Sequence, residues 1–165
     1  MGLTLGALIL FGMFMLFRYL ADHPEKENYF LLGGVIFGIA ALFYITFKPY
    51  PMDYVDGKLL VDPVKMMRDG YGDIGILIAF CISRFVEKTW VRFKPAFTKA
   101  NLAAGLTGAV LTFFLNDSVL VPLRAIFGAN WGTLLGKSAV MMFIVLIWPA
   151  VMKLILRDKT SEAVS

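Results

Sequence analysis

The chain has 165 residues and a formal net charge of +4, and 59% of its residues are hydrophobic, with Phe alone occurring 15 times. Soluble domains average about 45–50% apolar residues. A mean hydropathy of +0.74 therefore excludes one aqueous core as the home of this much apolar surface, and the chain reads as an integral membrane protein. A single cysteine, Cys81, excludes an intramolecular disulfide and a multi-cysteine metal site. The basic residues fall between apolar runs, which assigns them to lipid headgroups and membrane topology and leaves no nucleic-acid face.

The predicted fold class is all-α: a polytopic helical membrane protein with about five transmembrane helices and short interfacial helices. One domain covers residues 1–157. The spans are read at residues 2–20, 29–47, 70–87, 100–115 and 131–152, followed by a disordered cytoplasmic tail over 158–165.

The first apolar run begins at Gly2 with nothing basic before Arg18, unlike a secretory signal, which opens on a charged segment. It is read as a retained helix. Such a start also points to residues missing before Met1. The second span ends at Lys48-Pro49-Tyr50-Pro51, because proline lacks the amide donor and restricts the residue before it. In the polar stretch that follows, Asp62-Pro63 reads as a helix start, and Val64, Met66 and Met67 suit a short helix on the bilayer surface.

The third span, residues 70–87, is roughly 27 Å long at about 1.5 Å per residue, close to the ~30 Å hydrocarbon core. Arg84, Lys88, Trp90, Arg92 and Lys94 follow as interface and headgroup anchors. Arg84 and Glu87 stand three apart on one helical face and can pair. Both lie near the end of the span, so they are read as anchors and not as a reaction site.

The fourth span, residues 100–115, carries Ala100, Ala104 and Gly108 at four-residue spacing, which lets another helix approach closely. Asn116 and Asp117 are read as its outer cap, and Ser118 to Gly128 as an interfacial or re-entrant segment. Gly2 with Gly6, Gly34 with Gly38, and Gly128 with Gly132 and Gly136, repeat the small-residue spacing. Packing within the chain is the first reading and a dimer seam the second.

Positive charge sets the orientation. Arg18, Lys26, Arg84, Lys88, Arg92, Lys94, Lys99, Lys153, Arg157 and Lys159, ten in all, share one side of a five-span chain. Lys48, Lys58, Lys65, Arg68, Arg124 and Lys137, six, share the other. The richer side is expected in the cytoplasm, with the N-terminus outside and the C-terminus inside the cell membrane.

Residues with catalytic chemistry are scarce. His23, the only histidine, sits in a short polar turn, and no nucleophile elbow, phosphate-binding glycine loop or HExxH pattern occurs. Asp53, Asp56, Asp62, Asp69 and Asp73 share a loop region with four basic residues at a spacing unlike an EF-hand. A solvated loop is the first reading there and a headgroup or ion contact the second. No catalytic residue, cofactor or metal ligand is assigned.

Asp69-Gly70-Tyr71-Gly72-Asp73-Ile74-Gly75 before a span, and Arg84-Phe85-Val86-Glu87-Lys88-Thr89-Trp90-Val91-Arg92-Phe93 after it, form a recognisable order. A small-residue helix and a last helix ending Trp148-Pro149-Ala150-Val151-Met152-Lys153-Leu154 complete it. This order resembles the extra C-terminal membrane segment of some bacterial members of the type-2 phosphatidic acid phosphatase superfamily. The resemblance implies lipid phosphate as the chemical setting, with membrane lipids and an upstream or separate phosphatase core as partners. It carries over no catalytic residue. The family's Pro-Ser-Gly-His and its Lys with a downstream Arg-Pro are absent, and Trp90 stands six positions after Arg84, where the third motif has histidine. The other expectation is a small non-enzymatic scaffold or transporter subunit, for which a homo-oligomer fits.

Overall fold

A computed structural model of the chain describes residues 2–50, 54–55, 58–59, 62–92 and 99–162. The architecture is all-α. Helix α1 spans Gly2–Asp22, α2 Pro24–Phe47, α3 Pro63–Val86, α4 Lys99–Phe127, α5 Ala129–Met142 and α6 Trp148–Glu162. The only extended pairing among the described residues is a two-rung antiparallel ladder between β1, Tyr54–Val55, and β2, Lys58–Leu59.

Contacts between helices fix their directions. Gly34 of α2 faces Cys81, Gly38 faces Ile78, and Thr46 bonds Tyr71, so α2 and α3 run antiparallel. Gly72 faces Thr133, Gly75 faces Ser138, and Lys153 reaches the Val91 carbonyl, so α3 runs parallel to the α5–α6 rod. Gly136 faces Leu120 and Gly108 faces Trp148, so α4 runs antiparallel to that rod. α3 is central, between α2 and α5, and α1 packs only lightly, against α2. One end of the bundle, the basic end, holds Glu27, Arg84 and Lys153; Thr46, Tyr71 and Asn130 mark the other.

Of the glycines expected to admit close packing, Gly34, Gly38, Gly108, Gly132 and Gly136 do so within the chain, whereas Gly6 and Gly128 have nothing within 4 Å of a would-be Cβ. At Gly132 an added Cβ would meet the Leu123 carbonyl at 2.5 Å, and at Gly75 it would meet the Leu134 carbonyl at the same distance. Gly128, between α4 and α5, has φ 80° and ψ 170°, a backbone region that is essentially glycine's alone.

Several expected boundaries change. The read break after residue 115 does not occur: α4 runs unbroken to Phe127, with Pro122 inside it. The expected re-entrant segment, Ser118 to Gly128, is thus mostly the last part of α4. Asn116 and Asp117 look like a water-facing cap in the sequence, but α5 satisfies Asn116 laterally through Lys137. Likewise the expected surface helix at Val64 to Met67 and the span at 70–87 are one helix. Asp62 caps it by accepting from the amides of Val64 (2.9 Å) and Lys65 (3.3 Å), and Pro63 opens its first turn. α6 is described as far as Glu162, into the stretch from residue 158 read as the tail. Residues 163–165 lie outside the described ones.

A π turn over Phe143–Ile147 joins α5 to α6, with the Trp148 amide donating to the Phe143 carbonyl. Pro149 has no amide to give and its ring crowds the carbonyl four residues back. Widening the preceding turn accommodates both effects.

The bundle's exterior is strongly apolar. Leu10, Phe11, Phe14, Phe37, Phe43, Phe47, Phe113 and Phe114 are all exposed, whereas few apolar side chains are buried. A surface of that kind belongs in lipid or against another protein. Three stretches, Pro24–Phe47, Leu102–Phe127 and Ala129–Ile155, are long and apolar enough to cross a membrane. α3 is less apolar because Asp73 and Arg84 lie inside it and Glu87 directly follows it.

Gly132→Val is expected to destabilise the fold by about 1–3 kcal/mol, because its Cβ meets backbone that cannot swing aside. Gly33 of α2 has no neighbour within 4 Å of its would-be Cβ. Gly33→Ala should be neutral or stabilising by up to about 1 kcal/mol. Thermal unfolding of the two variants in one detergent measures the contrast.

Candidate functional site: an ion-pair network at the basic end

The antiparallel α2–α3 pair brings the first turn of α2 beside the last turn of α3. Helix N-termini favour acids and C-termini favour bases. Glu25 and Glu27 occupy the first and Arg84 the second, so the same topology that satisfies each helix dipole sets opposite charges face to face.

Glu27 is the hub. Its Oε1 accepts from Arg84 Nε at 2.9 Å, and its Oε2 lies 2.8 Å from Lys88 Nζ. Arg84 Nη1 donates to Glu87 Oε2 at 2.7 Å, which realises the pair expected from their spacing. Lys88 Nζ also donates to the Pro24 carbonyl at 2.9 Å and to Asn28 Oδ1 at 3.4 Å. Positions 84, 87 and 88 share one helical face, which lets a single turn serve all these contacts. The carboxylates are the inner partners: the Glu27 and Glu87 side chains are 16% and 8% exposed, against 43% and 29% for Arg84 and Lys88. The network is neutral by formal charge and turns its cations outward.

Beyond it, a π turn over Glu87–Val91 closes α3, with the Arg92 amide donating to the Glu87 carbonyl at 2.7 Å. Arg92 then takes a left-handed conformation, φ 49° and ψ 47°, and ends the helix. Trp90 and Arg92 project outward, Trp90 being 76% exposed. Lys153 of α6 donates to the Val91 carbonyl, tying the rod to this corner. Of the five expected anchors, Arg84 and Lys88 are thus engaged in the ion-pair network, Trp90 and Arg92 are exposed, Arg92 with its Nε donating to the Thr89 carbonyl at 3.2 Å, and Lys94 lies outside the described residues.

Behind the network is a cavity of about 430 Å³ lined by Phe17, Leu20, Phe30, Leu31, Phe80 and Val145, with Glu27 and Arg84 completing the wall. Its chemistry is that of a hydrocarbon chain beside one ion pair. Ser83 is fully buried and its Oγ has no hydrogen-bond partner. Cys81 is buried against Gly34. His23 stacks on Tyr19, with ring centroids 4.5 Å apart, and its Nδ1 faces the Tyr19 carbonyl at 3.1 Å. Of the acidic positions considered for a cation, Asp62 is committed to its cap, Asp69 and Asp73 sit on α3, and Asp53 and Asp56 lie outside the described residues. No group of three metal-ligating side chains is found among the described residues.

Glu27 is the residue that sequence reasoning missed. Its signal was present: it stands just before one apolar run while Arg84 and Lys88 close another, and two consecutive antiparallel helices bring those ends together. Comparisons with family models, curated proteins and solved structures find no match.

Arg84→Ala would leave Glu27 with one cation and Glu87 without its arginine bond. The expected cost is about 2–4 kcal/mol, since Glu87 is buried and Glu27 largely shielded while the arginine is partly solvated. Arg84→Lys should recover less than half of it, because an ammonium cannot present the forked donors that serve two carboxylates at once. Thermal melts of both variants check this.

Proposed function

We propose that the chain is a non-catalytic, multi-pass membrane protein whose basic end rests on the phosphate headgroups of anionic lipids, serving as the accessory membrane segment of a lipid-phosphate phosphatase. The observation that carries the reading is the neutral Glu27–Arg84–Glu87–Lys88 network with Trp90 and Arg92 exposed beside it. Such a cluster fixes the helix ends rigidly and leaves an aromatic side chain and a surplus cation for the interface. In a five-span topology positive charge favours this end for the cytoplasm, by ten Lys and Arg to five once Lys137, held between α4 and α5, is set aside. α1 and α3 complete the count beside the three apolar stretches, α3 shielded by its neighbours on both sides. The phosphatase connection rests on the order of spans and on the Arg84–Phe93 hinge; the missing motifs make this chain the non-catalytic part.

Native mass spectrometry of the protein released from vesicles containing phosphatidylglycerol and phosphatidylcholine tests the headgroup role. The wild type should retain phosphatidylglycerol preferentially, and the Arg92→Ala/Lys94→Ala double variant should lose at least threefold of that preference. Equal retention of the two lipids by the wild type would refute it. The same preparation should release no phosphate from phosphatidic acid; turnover would refute the non-catalytic reading.

A further inference from the structure

α4 and α5 share a polar chain that the network at the basic end does not use. Lys137 Nζ donates to Asn116 Oδ1 at 3.0 Å, and Asn116 Nδ2 donates to Asp117 Oδ1 at 2.9 Å. The amide is therefore oriented by a cation on one side and presents its donor to a carboxylate on the other. A chain of this kind polarises along its length. Lys137 and Asn116 lie partly buried between the helices, whereas Asp117 is exposed.

The position of Asp117 is the unusual feature. At about 100° per residue, Leu106, Val110, Phe113, Phe114 and Val121 fall within roughly 60° of it on the α4 surface. All five are exposed, and Asp117 is the only charged residue of α4 between Leu106 and Val121; Arg124, which the same spacing places about 20° away, lies beyond that uncovered apolar stretch. Its depth follows from the neighbouring helices. The apolar run of α2 ends at Phe47, beside the Thr46–Tyr71 bond. Gly72 and Gly75, further along α3, face Thr133, Leu134, Lys137 and Ser138. Asn116 and Asp117 thus stand at least a turn inside the level at which α2 leaves its apolar run. None of the ion pairs among the described residues includes Asp117. Arg124, two turns on, is turned to Thr133 Oγ1 at 2.8 Å.

We propose that this stripe of α4 is the docking face for a transmembrane helix of a partner protein that carries a lysine or arginine at the depth of Asp117. Charge complementarity selects the occupant. Lipid tails cover the apolar side chains but give the carboxylate nothing. A second copy docking through the same face would set Asp117 against Asp117, two like charges in a medium that screens poorly. A basic partner helix answers both the apolar stripe and the charge at its centre. The proposal rests on the bundle crossing a bilayer and is independent of any lipid-phosphate role.

The test uses the full chain, donor-labelled and reconstituted in phosphatidylcholine vesicles. The probes are acceptor-labelled leucine-rich transmembrane peptides with one central lysine or, as the control, leucine there. Energy transfer should show the lysine peptide bound at least tenfold more tightly than the leucine peptide, and Asp117→Asn should erase that difference. Asp117→Asn keeps the shape of the side chain and its bond to Asn116, and an unchanged circular-dichroism melt verifies the fold. Equal binding of the two peptides, or a preference that survives Asp117→Asn, would overturn the docking proposal. So would self-transfer between differently labelled copies that depends on Asp117, which would assign the stripe to a second copy. Failure of the wild type to float with the vesicles would overturn the membrane reading itself, and the proposal with it.

Discussion

The antiparallel seam between α2 and α3 is the constraint on which the rest depends. Gly34 and Gly38 leave room for Cys81 and Ile78, so the two backbones approach closely along one face. Close approach in turn brings both pairs of helix ends level. At one end the level position is filled by Glu27 with Arg84 and Lys88, at the other by the hydrogen bond between Thr46 and Tyr71. A bulkier residue at Gly38 would part the helices and lengthen every polar contact at both ends. In lipid, where apolar contact between helices gains little over contact with acyl chains, such fit and such end-bonds supply most of the specificity.

The same logic organises the other half of the bundle with different chemistry. α4 and α5 meet through Gly132 and Gly136, and their seam is held by Arg124 with Thr133 and Lys137 with Asn116, a cation and a neutral partner in each case. Where the α2–α3 seam confines its charges to the helix ends, this one carries them inward. Further along, Trp148 lies over Gly108 and donates its indole N–H to the Ala104 carbonyl at 3.2 Å. The indole body takes the space that glycine leaves, and its one polar atom is satisfied.

Much of this architecture was legible in the residues, for local reasons. Asp62-Pro63 announces a helix start because capping and a fixed φ are properties of adjacent residues, and Lys48-Pro49 announces an end on the same grounds. The Arg84–Glu87 pair follows from helical spacing. Lateral satisfaction was not legible. Asn116 and Asp117 resemble a cap when only their neighbours in the chain are seen, yet Asn116 turns to Lys137 of α5 while Asp117 stays on the exposed face of α4. Pro122 resembles a break, yet α4 passes through it, as helices in a membrane setting can when nearby side chains and neighbouring helices support the freed backbone groups. The Glu27 hub falls between these cases. Its partners were known to share one side of the protein, but a single sequence does not state which helix lies beside which.

The two bonded levels on α2 have a mechanical consequence. Glu27 and Thr46 are nineteen residues apart on one unbroken helix, about 29 Å at 1.5 Å per residue. Each is tied to α3, so this interval can neither stretch nor telescope. In a bilayer it acts as a fixed gauge: a membrane thinner or thicker than that length must itself deform around the bundle, or the whole bundle must tilt, at a cost of fractions of a kcal/mol per Å. A bilayer whose apolar core is near that length would hold the bundle with the least tilt.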